Sequence, residues 1–510
     1  MGSVSKIVGH LSPRDGSDIH VLAIDLGASG GRAIVGSLGA NQVLRLEEVY
    51  RFENGPVAGV QPLQWDFEHL LKEVQVGIAQ AQVRFELTSV GIDTWGVDYG
   101  LIGADNSLLA NPVHYRSVRM QGVAARCAEA GLLEDIYAET GIQPLDINTL
   151  FQLVAQKRDE SELLDRAKQI LFMPDLLIWG LTGICGTEPS IASTSQILKN
   201  SNVQWSNMVA DRFGIKKHLL PTIGKAGVTV GCISSDLPAA GLPVVRVCGH
   251  DTASAVAALT LDPHDAFISC GTWSLIGTVL DELVLTSEAQ QAGLSNELGA
   301  DDSILLLKNC TGLWIAQQLR RELMEQAVRN LTWEEIAQAA SDVEPFAYLI
   351  DTEDPAFATA QNVLNRILEQ TGLIVHFTRE DVSHQVIGSL FRCVYDSLAL
   401  TYRKVIEAIE SITHRTLTSI RLIGGGSQNP VLCQAVADAT GRRICARPVE
   451  ATAIGNILSQ LIACGAYQTL EEARSKALST FVPTCYVPLV YMSSDVLERF
   501  DLLEKETQDA

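Results

Sequence analysis

Residues 21–38, VLAIDLGASGGRAIVGSL, run as an apolar stretch, a turn dense in Gly and Ser, and a second apolar stretch, the pattern of a β-hairpin with an unusually open loop. Residues 265–280, DAFISCGTWSLIGTVL, repeat that plan, so each half of the chain opens on a hairpin, as a distant duplication of two domains would. Between them, TSVGIDTWGVDYGLIGADNSLL predicts a strand pair turning at GADN. LLEDIYAETG, FQLVAQKRDESELLDRAKQ and PDLLIWGLTG predict helices, the last with Pro near its start and Gly183 just past its end. The second half continues through helical patterns in LWIAQQLRRELMEQAV and IGSLFRCVYDSLALTYRKVIEAIESI. It then passes through SIRLIGGGSQNPVLCQAVADATG and PVEATAIGNILSQLIACG, each closing on a Gly suited to a helix end. Strands and helices alternate throughout, which argues for an α/β protein. A flexible extension over residues 1–19, one domain over 20–260 and a second over 261–510 are expected, with the junction near LTLDPHD at 259–265.

Composition narrows the partners. The chain has 510 residues, 47% of them hydrophobic and 19% charged, enough for large buried cores. A formal net charge of -22 repels polyphosphate backbones, so nucleic acid is not an expected partner. The same field would repel ATP, and a site for it would need a metal ion and backbone N–H groups rather than a basic patch. The 11 cysteines include no CxxC pair, so reduced, buried thiols are expected. No apolar run is long enough to span a membrane, and a cytoplasmic, membrane-free protein is expected; no feature of the pattern sets an oligomeric state.

Several short stretches carry chemistry. In VVRVCGHDTASAVAAL an apolar run stops at Gly249, and His250 and Asp251 stand before a small-residue helix. There Asp251 either caps that helix or serves as a general base beside His250. DLGASGGR, from Asp25 to Arg32, is either a plain turn or a nest of N–H groups for phosphate, with Asp25 placed to hold Mg2+ through water. CGTWSL offers the Thr272 hydroxyl in the corresponding turn of the second half. LIGGGSQNPVL sets three glycines before a helix capped by Asn429 with Pro430 at its first position. A tight turn needs one or two glycines, and a third leaves a flat base room to lie on the backbone. GIDTWGVDYG alternates Asp93, Trp95 and Asp98 along a strand, either as core or as a face for a polyhydroxylated ligand. LLLKNCTGLWIAQQ puts Asn309 and Gln317 about two helical turns apart.

Taken in order, DLGASGGR, FENG, QWDFEHL, GIDTWGVDYGL, MPDLLIWGLTG, GHDTASAVAA, SCGTWSLIG, LKNCTGLWIAQ, GGGSQNPVLCQAVADATG and PVEATAIGNI resemble segments of the FGGY carbohydrate kinases. Within that family, GIDTWGVD and HDTASAV are most like members acting on L-rhamnulose. The resemblance implies two actin- and ribonuclease H-like domains, each a mixed sheet flanked by helices, with ATP and sugar in an interdomain active-site cleft. It implies ATP-dependent phosphorylation of the primary hydroxyl of L-rhamnulose, giving rhamnulose 1-phosphate. Carried over by position, Asp251 would accept the proton, while His250, Thr252, Gly96 and Asn309 would contact sugar. Ala28, Ser29, Gly30, Gly31, Arg32, Thr272, Gln317 and Gly425 would contact ATP. Two departures, Ser117 in HYRSVRM where an acidic residue is frequent and Gly30 where Ser is frequent, bear on which sugar is accepted. The rivals are a kinase for another ketose or deoxysugar such as L-fuculose, and a sugar- and ATP-binding actin-like protein that transfers nothing.

Overall fold

Apolar alternation over residues 19–53 builds three strands that fold back on one another: β1 (Ile19–Gly27), β2 (Gly30–Leu38) and β3 (Leu44–Glu53). In the computed structural model, which describes residues 18–327, 330–358, 362–374 and 383–509, β1 then pairs in parallel with β4 (Leu87–Thr94). The chain forms two compact units. The first takes in residues up to Thr260, then Leu280–Leu306 and Ala451–Thr480; the second takes in Leu261–Val279, Leu307–Glu450 and residues from Phe481 onward. The chain thus leaves the first unit after Thr260 and returns to it twice, beyond any single junction. Apart from Asp18 and Ile19, the expected extension lies outside the described residues, and Ile19 already belongs to β1.

Within the first unit, β5 (Tyr99–Gly103) pairs with β6 (Ala167–Phe172), and β7 (Leu198–Lys199) with β8 (Gln204–Trp205). β9 (Val228–Cys232) and β10 (Pro243–Arg246) complete the main sheet, whose order is β3-β2-β1-β4-β10-β9. β1, β4 and β10 run parallel, while β2, β3 and β9 are antiparallel to their neighbours. The helix Ala451–Ala463 packs on this sheet at strand positions bare of side chains: a Cβ at Gly36 would meet Ile457, and one at Gly91 would meet Asn456. The helix Phe67–Gln82 starts at Asp66, whose carboxylate caps the His69 N–H at 3.0 Å, and buries Leu70, Val74 and Ile78.

The second unit repeats the plan. β11 (Asp265–Cys270) and β12 (Trp273–Leu280) form its hairpin. After β13 (Ser295–Leu298), which belongs to the first unit, come β14 (Ile304–Thr311), β15 (Ser419–Ile423), β16 (Arg443–Ala446) and β17 (Thr484–Tyr486). Within the second unit the order runs β14-β12-β11-β15-β16-β17, with β11, β15 and β16 parallel, β12 antiparallel to β11, and β17 antiparallel to β16. The expected mixed sheets flanked by helices are present in both units.

Some elements differ from expectation. The turn at GADN is present, but the arm after it makes only a single bridge, Leu108 to Ile102, and β5 finds its full strand partner in β6. The helix expected over 151–169 breaks at Glu160, whose backbone is non-helical, and after a second short helix Ala167–Gln169 are drawn into β6. Gly183 ends the helix Met173–Thr182 and Gly441 ends Pro430–Thr440, both in left-handed conformation, as their positions suggested. Among the described residues, no helix is long and apolar enough to cross a membrane.

Candidate active site

Three carboxyl groups stand at the carboxyl ends of adjacent strands in the first unit, the end where open α/β sheets place their ligands. Asp25 on β1 lies in register with Asp93 on β4. Beyond β10, the chain continues alongside β4, with the Thr94 N–H donating to the Gly249 carbonyl at 2.8 Å, and then enters the helix Asp251–Ala257. Asp251 is the first residue of that helix. The cap position is held by His250, and no side chain caps the helix. The reading of Asp251 as a cap is therefore corrected. From that first helical position the Asp251 carboxylate accepts from the Thr252 hydroxyl at 3.2 Å, and the Thr252 N–H also favours its charged form.

The turn that presents Asp251 is tied from outside. Glu188, buried, accepts from Ser190 and Ile191 at the start of their own helix, and also from the Gly249 N–H at 2.9 Å. A Cβ at Gly249 would come within 2.9 Å of Pro174 and 3.3 Å of Glu188, so the backbone passes where a side chain does not fit. Ser254 donates to the Cys248 carbonyl from the other side.

Charge at the site is unevenly shared. Burial, above all, raises the Asp251 carboxyl; His250 pulls it down and Asp25 pushes it up, and the balance lies above its ordinary value. His250 is buried, which opposes its charge, but Glu297, then Asp251 and Glu188, favour it, and the imidazole is raised to about 9. It is therefore an imidazolium at neutral pH, with Nε2 3.4 Å from Asp251 Oδ1 and Nδ1 3.1 Å from Glu297 Oε2. The Nδ1 contact is poorly aligned for a hydrogen bond, so its strength is mainly Coulombic. Asp93, fully buried, is held well above the carboxylate range by burial and by the neighbouring charge of Asp25. Asn456 donates to its Oδ2 at 2.6 Å, while Oδ1 has no partner. Asp25 receives Arg32 Nη2 at 2.5 Å from the facing position of the hairpin.

The hairpin tip is tighter than expected. Gly27 pairs with Gly30, leaving only Ala28 and Ser29 in the turn, and Asn54 of FENG clamps it by donating to the Gly27 carbonyl at 2.9 Å. Gly31 is required by packing, because a Cβ there would lie 2.2 Å from the Phe52 ring. Ser29 is exposed.

Gly96 follows the end of β4 and lies against Thr194, whose hydroxyl accepts the Val97 N–H at 3.1 Å. Of the two readings of Trp95 and Asp98, the structure has the core one. β4 ends at Thr94, and both residues turn inward, where Asp98 accepts from Trp65, Trp95, Gln152 and the Tyr115 N–H. Burial lifts the Asp98 carboxyl to about 7. Ser117 is buried and caps a single turn at Arg119.

In the second unit, Thr272 sits in the turn between β11 and β12, and its carbonyl accepts the Gly312 and Trp314 N–H groups at the start of the helix Trp314–Ala327, which carries Gln317. Asn309 lies on β14 rather than on that helix, so the expected helical spacing to Gln317 does not exist. The three glycines divide by cause. A Cβ at Gly424 would strike the Cys270 carbonyl and one at Gly426 the Cys270 sulfur, whereas one at Gly425 would meet nothing. Asn429 caps the following helix through Val431 and Leu432, with Pro430 at its first position. Packing thus accounts for two glycines, and the third lies open.

Glu297 and Glu188 escaped the sequence reading. Glu297 lies on β13, far along the chain from His250, with no motif around it. Glu188 stood before Pro189, the signature of a helix start, and could have been read as a cap.

A family model described as the N-terminal domain of the FGGY family of carbohydrate kinases matches residues 20–258, and the corresponding C-terminal domain matches 266–464. The chain belongs to the FGGY family. This FGGY kinase is 35% identical over 449 residues to a rhamnulokinase of Bacteroides thetaiotaomicron, covering 87% of this chain and 90% of that one. It is 34% identical to the rhamnulokinase of Enterococcus faecalis, covering 95% and 97%. In fold it is similar to gluconate kinase from Lactobacillus acidophilus, with a TM-score of 0.76 at 15% identity over 97% of this chain and 98% of that one. A ligand-bound xylulose kinase from the same organism gives 0.75 at 15% identity over 96% and 98%. The protein is an ATP-dependent sugar kinase with the two-domain FGGY fold.

Proposed function

We propose that this kinase transfers the γ-phosphoryl group of ATP to the primary hydroxyl of L-rhamnulose, giving rhamnulose 1-phosphate, with Asp251 as general base. The observation that carries the reading is Asp251 itself, a half-buried carboxylate that does not hold the helix cap position, raised by desolvation and fixed at a strand end beside a charged His250. Identities of 32–36% to rhamnulokinases support the substrate.

In the proposed mechanism, the sugar hydroxyl donates its proton to Asp251 as its oxygen attacks phosphorus, a contribution of about 10² to 10⁴ in rate. His250, held cationic by Glu297, keeps Asp251 ionised before the transfer and shares in positioning the sugar with Thr252, Gly96 and Asn309. The hairpin tip at Ala28 and Ser29, with the adjoining Gly30, Gly31 and Arg32 at the start of β2, and Thr272, Gln317 and Gly425 contact the nucleotide in this reading. The residues fit a magnesium ion: Asp25 and Asp93 would hold it, Asp93 through its unpartnered Oδ1. When bound, that ion neutralises charge on the transferring phosphoryl group.

The test is coupled ADP release with Mg-ATP and a panel of ketoses, on the native enzyme and on Asp251→Asn. L-Rhamnulose as the preferred acceptor, with most of the turnover lost in the variant, is the expected result. A different preferred sugar, L-fuculose included, would leave the mechanism and replace the substrate; ADP release indifferent to every sugar would overturn both.

A further inference from the structure

In the antiparallel pairing of β16 with β17, Cys445 stands directly opposite Cys485, and their sulfurs are 3.6 Å apart. The two differ in access, Cys445 being buried and Cys485 exposed. Arg443, two residues before Cys445 on the same strand and so on the same face, places Nη2 3.1 Å from the Cys485 sulfur. We infer that Cys445 and Cys485 form a redox-responsive dithiol, oxidised by peroxide to a cross-strand disulfide and restored by thiols.

Each sulfur has a distinct part. The Arg443 guanidinium, above all, holds the Cys485 thiol below its ordinary value, whereas burial raises Cys445. Thiolate character and exposure together select the sulfur that oxidants attack. The Cys485 thiolate displaces hydroxide from hydrogen peroxide and becomes a sulfenic acid. The Cys445 sulfur then attacks that sulfur, giving up its proton and expelling the hydroxyl as water. Two thiols lose two hydrogens, and one peroxide becomes two waters.

Position along the chain gives the bond a consequence. β16 precedes and β17 follows the segment Ala451–Thr480, the chain's last excursion into the first unit. That segment supplies Asn456, the partner of Asp93. A disulfide between Cys445 and Cys485 closes the excursion into a covalent loop, and β17, the end strand of its sheet, is fastened to β16.

The full-length protein, reduced and freed of reductant, is treated with hydrogen peroxide, then denatured, alkylated and mapped by mass spectrometry. The expected product is a single linked pair, Cys445 with Cys485, lighter by two hydrogens and reversed by dithiothreitol. In Cys445→Ser the Cys485 sulfenic acid persists and is trapped by dimedone. Cys485→Ser, an exposed change that spares the core, forms no link and keeps the reduced protein's unfolding midpoint. All cysteines alkylated after peroxide, a link involving other cysteines, or Cys485 less reactive than the buried thiols would each overturn the inference.

Discussion

Glu297 Oε2 lies 3.1 Å from His250 Nδ1, on the ring nitrogen remote from Asp251. A buried carboxylate thereby keeps a buried imidazole charged, and its effect reaches Asp251 through the ring rather than by contact. The His250 imidazole is raised from 6.5 to about 9 on folding, so its pairing stabilises the native state fully below about pH 6.5. That contribution is lost as pH rises through about 9. By the usual conversion the full effect is on the order of 3 kcal/mol.

Glu297→Gln removes the charge and keeps the shape. We expect a loss of stability on the order of 1–3 kcal/mol below about pH 6.5 that shrinks toward nothing above about pH 9, measured by urea unfolding across that range. The alkaline limb of kcat against pH should move to lower pH in the variant, because His250 then gives up its proton sooner. A purely structural role for Glu297 would lower activity at every pH and leave that limb in place.

Asp93 has the opposite sign. It is an acid raised well above 3.8 in the folded state, so its contribution destabilises the native state progressively as pH rises above about 3.8. Asp93→Asn preserves the Asn456 contact and removes the repulsion with Asp25 and Asp251. The variant should be more stable than the native protein at neutral pH, by about 1–3 kcal/mol, with the advantage vanishing in acid. Its turnover should nevertheless fall by about tenfold or more, because the proposed cation loses a ligand. A variant that gains stability and keeps full turnover at low magnesium would remove Asp93 from the site.

The elements were legible where one period or one cap decided them. The two hairpins, the Pro430 helix start and the Gly183 and Gly441 helix ends follow from local chemistry, and all are present. Where pairing with a distant strand decided, local pattern misled: Ala167–Gln169 continue a helical pattern yet join β6, because β5 offers them a partner. The same holds for the site. Asp251 could be found because strand, glycine and small-residue helix are contiguous, but whether it takes the cap or the first helical position is a shift of one residue that sequence does not resolve. Glu297 and Glu188 act on the His250 turn from β13 and from a separate helix start, so no spacing along the chain could connect them to it.

The glycines of the two loops make opposite predictions. Gly31→Ala drives a methyl group into the Phe52 ring and should lower stability by about 1–3 kcal/mol, read as an earlier thermal midpoint. Gly425→Ala meets no atom and should leave the midpoint unchanged. If Gly425 lies against the nucleotide as proposed, the same change should raise the KM for ATP several-fold with little effect on the KM for sugar. An unchanged KM for ATP would return the third glycine to the loop's own geometry.

The helix Ala451–Ala463 crosses the helix Asp251–Ala257 at Gly455, where a Cβ would lie 1.8 Å from the Ser254 carbonyl oxygen. That obstacle is backbone, so no rotamer change can relieve it, and the helices must part. Ser254 is one turn beyond Asp251, and the neighbouring Asn456 holds Asp93, so the displacement acts on two carboxyl groups of the site at once. Gly455→Ala should therefore lower stability by about 2–4 kcal/mol and also reduce kcat more than it raises either KM. Gly372→Ala is the matched control. Gly372, at the end of a helix in the second unit, is left-handed with open space around it, and the change should strain backbone and lower stability by about 1 kcal/mol without touching kcat. A Gly455→Ala enzyme that lost stability but kept its kcat would show that the helix crossing supports the fold without setting the position of Asp251.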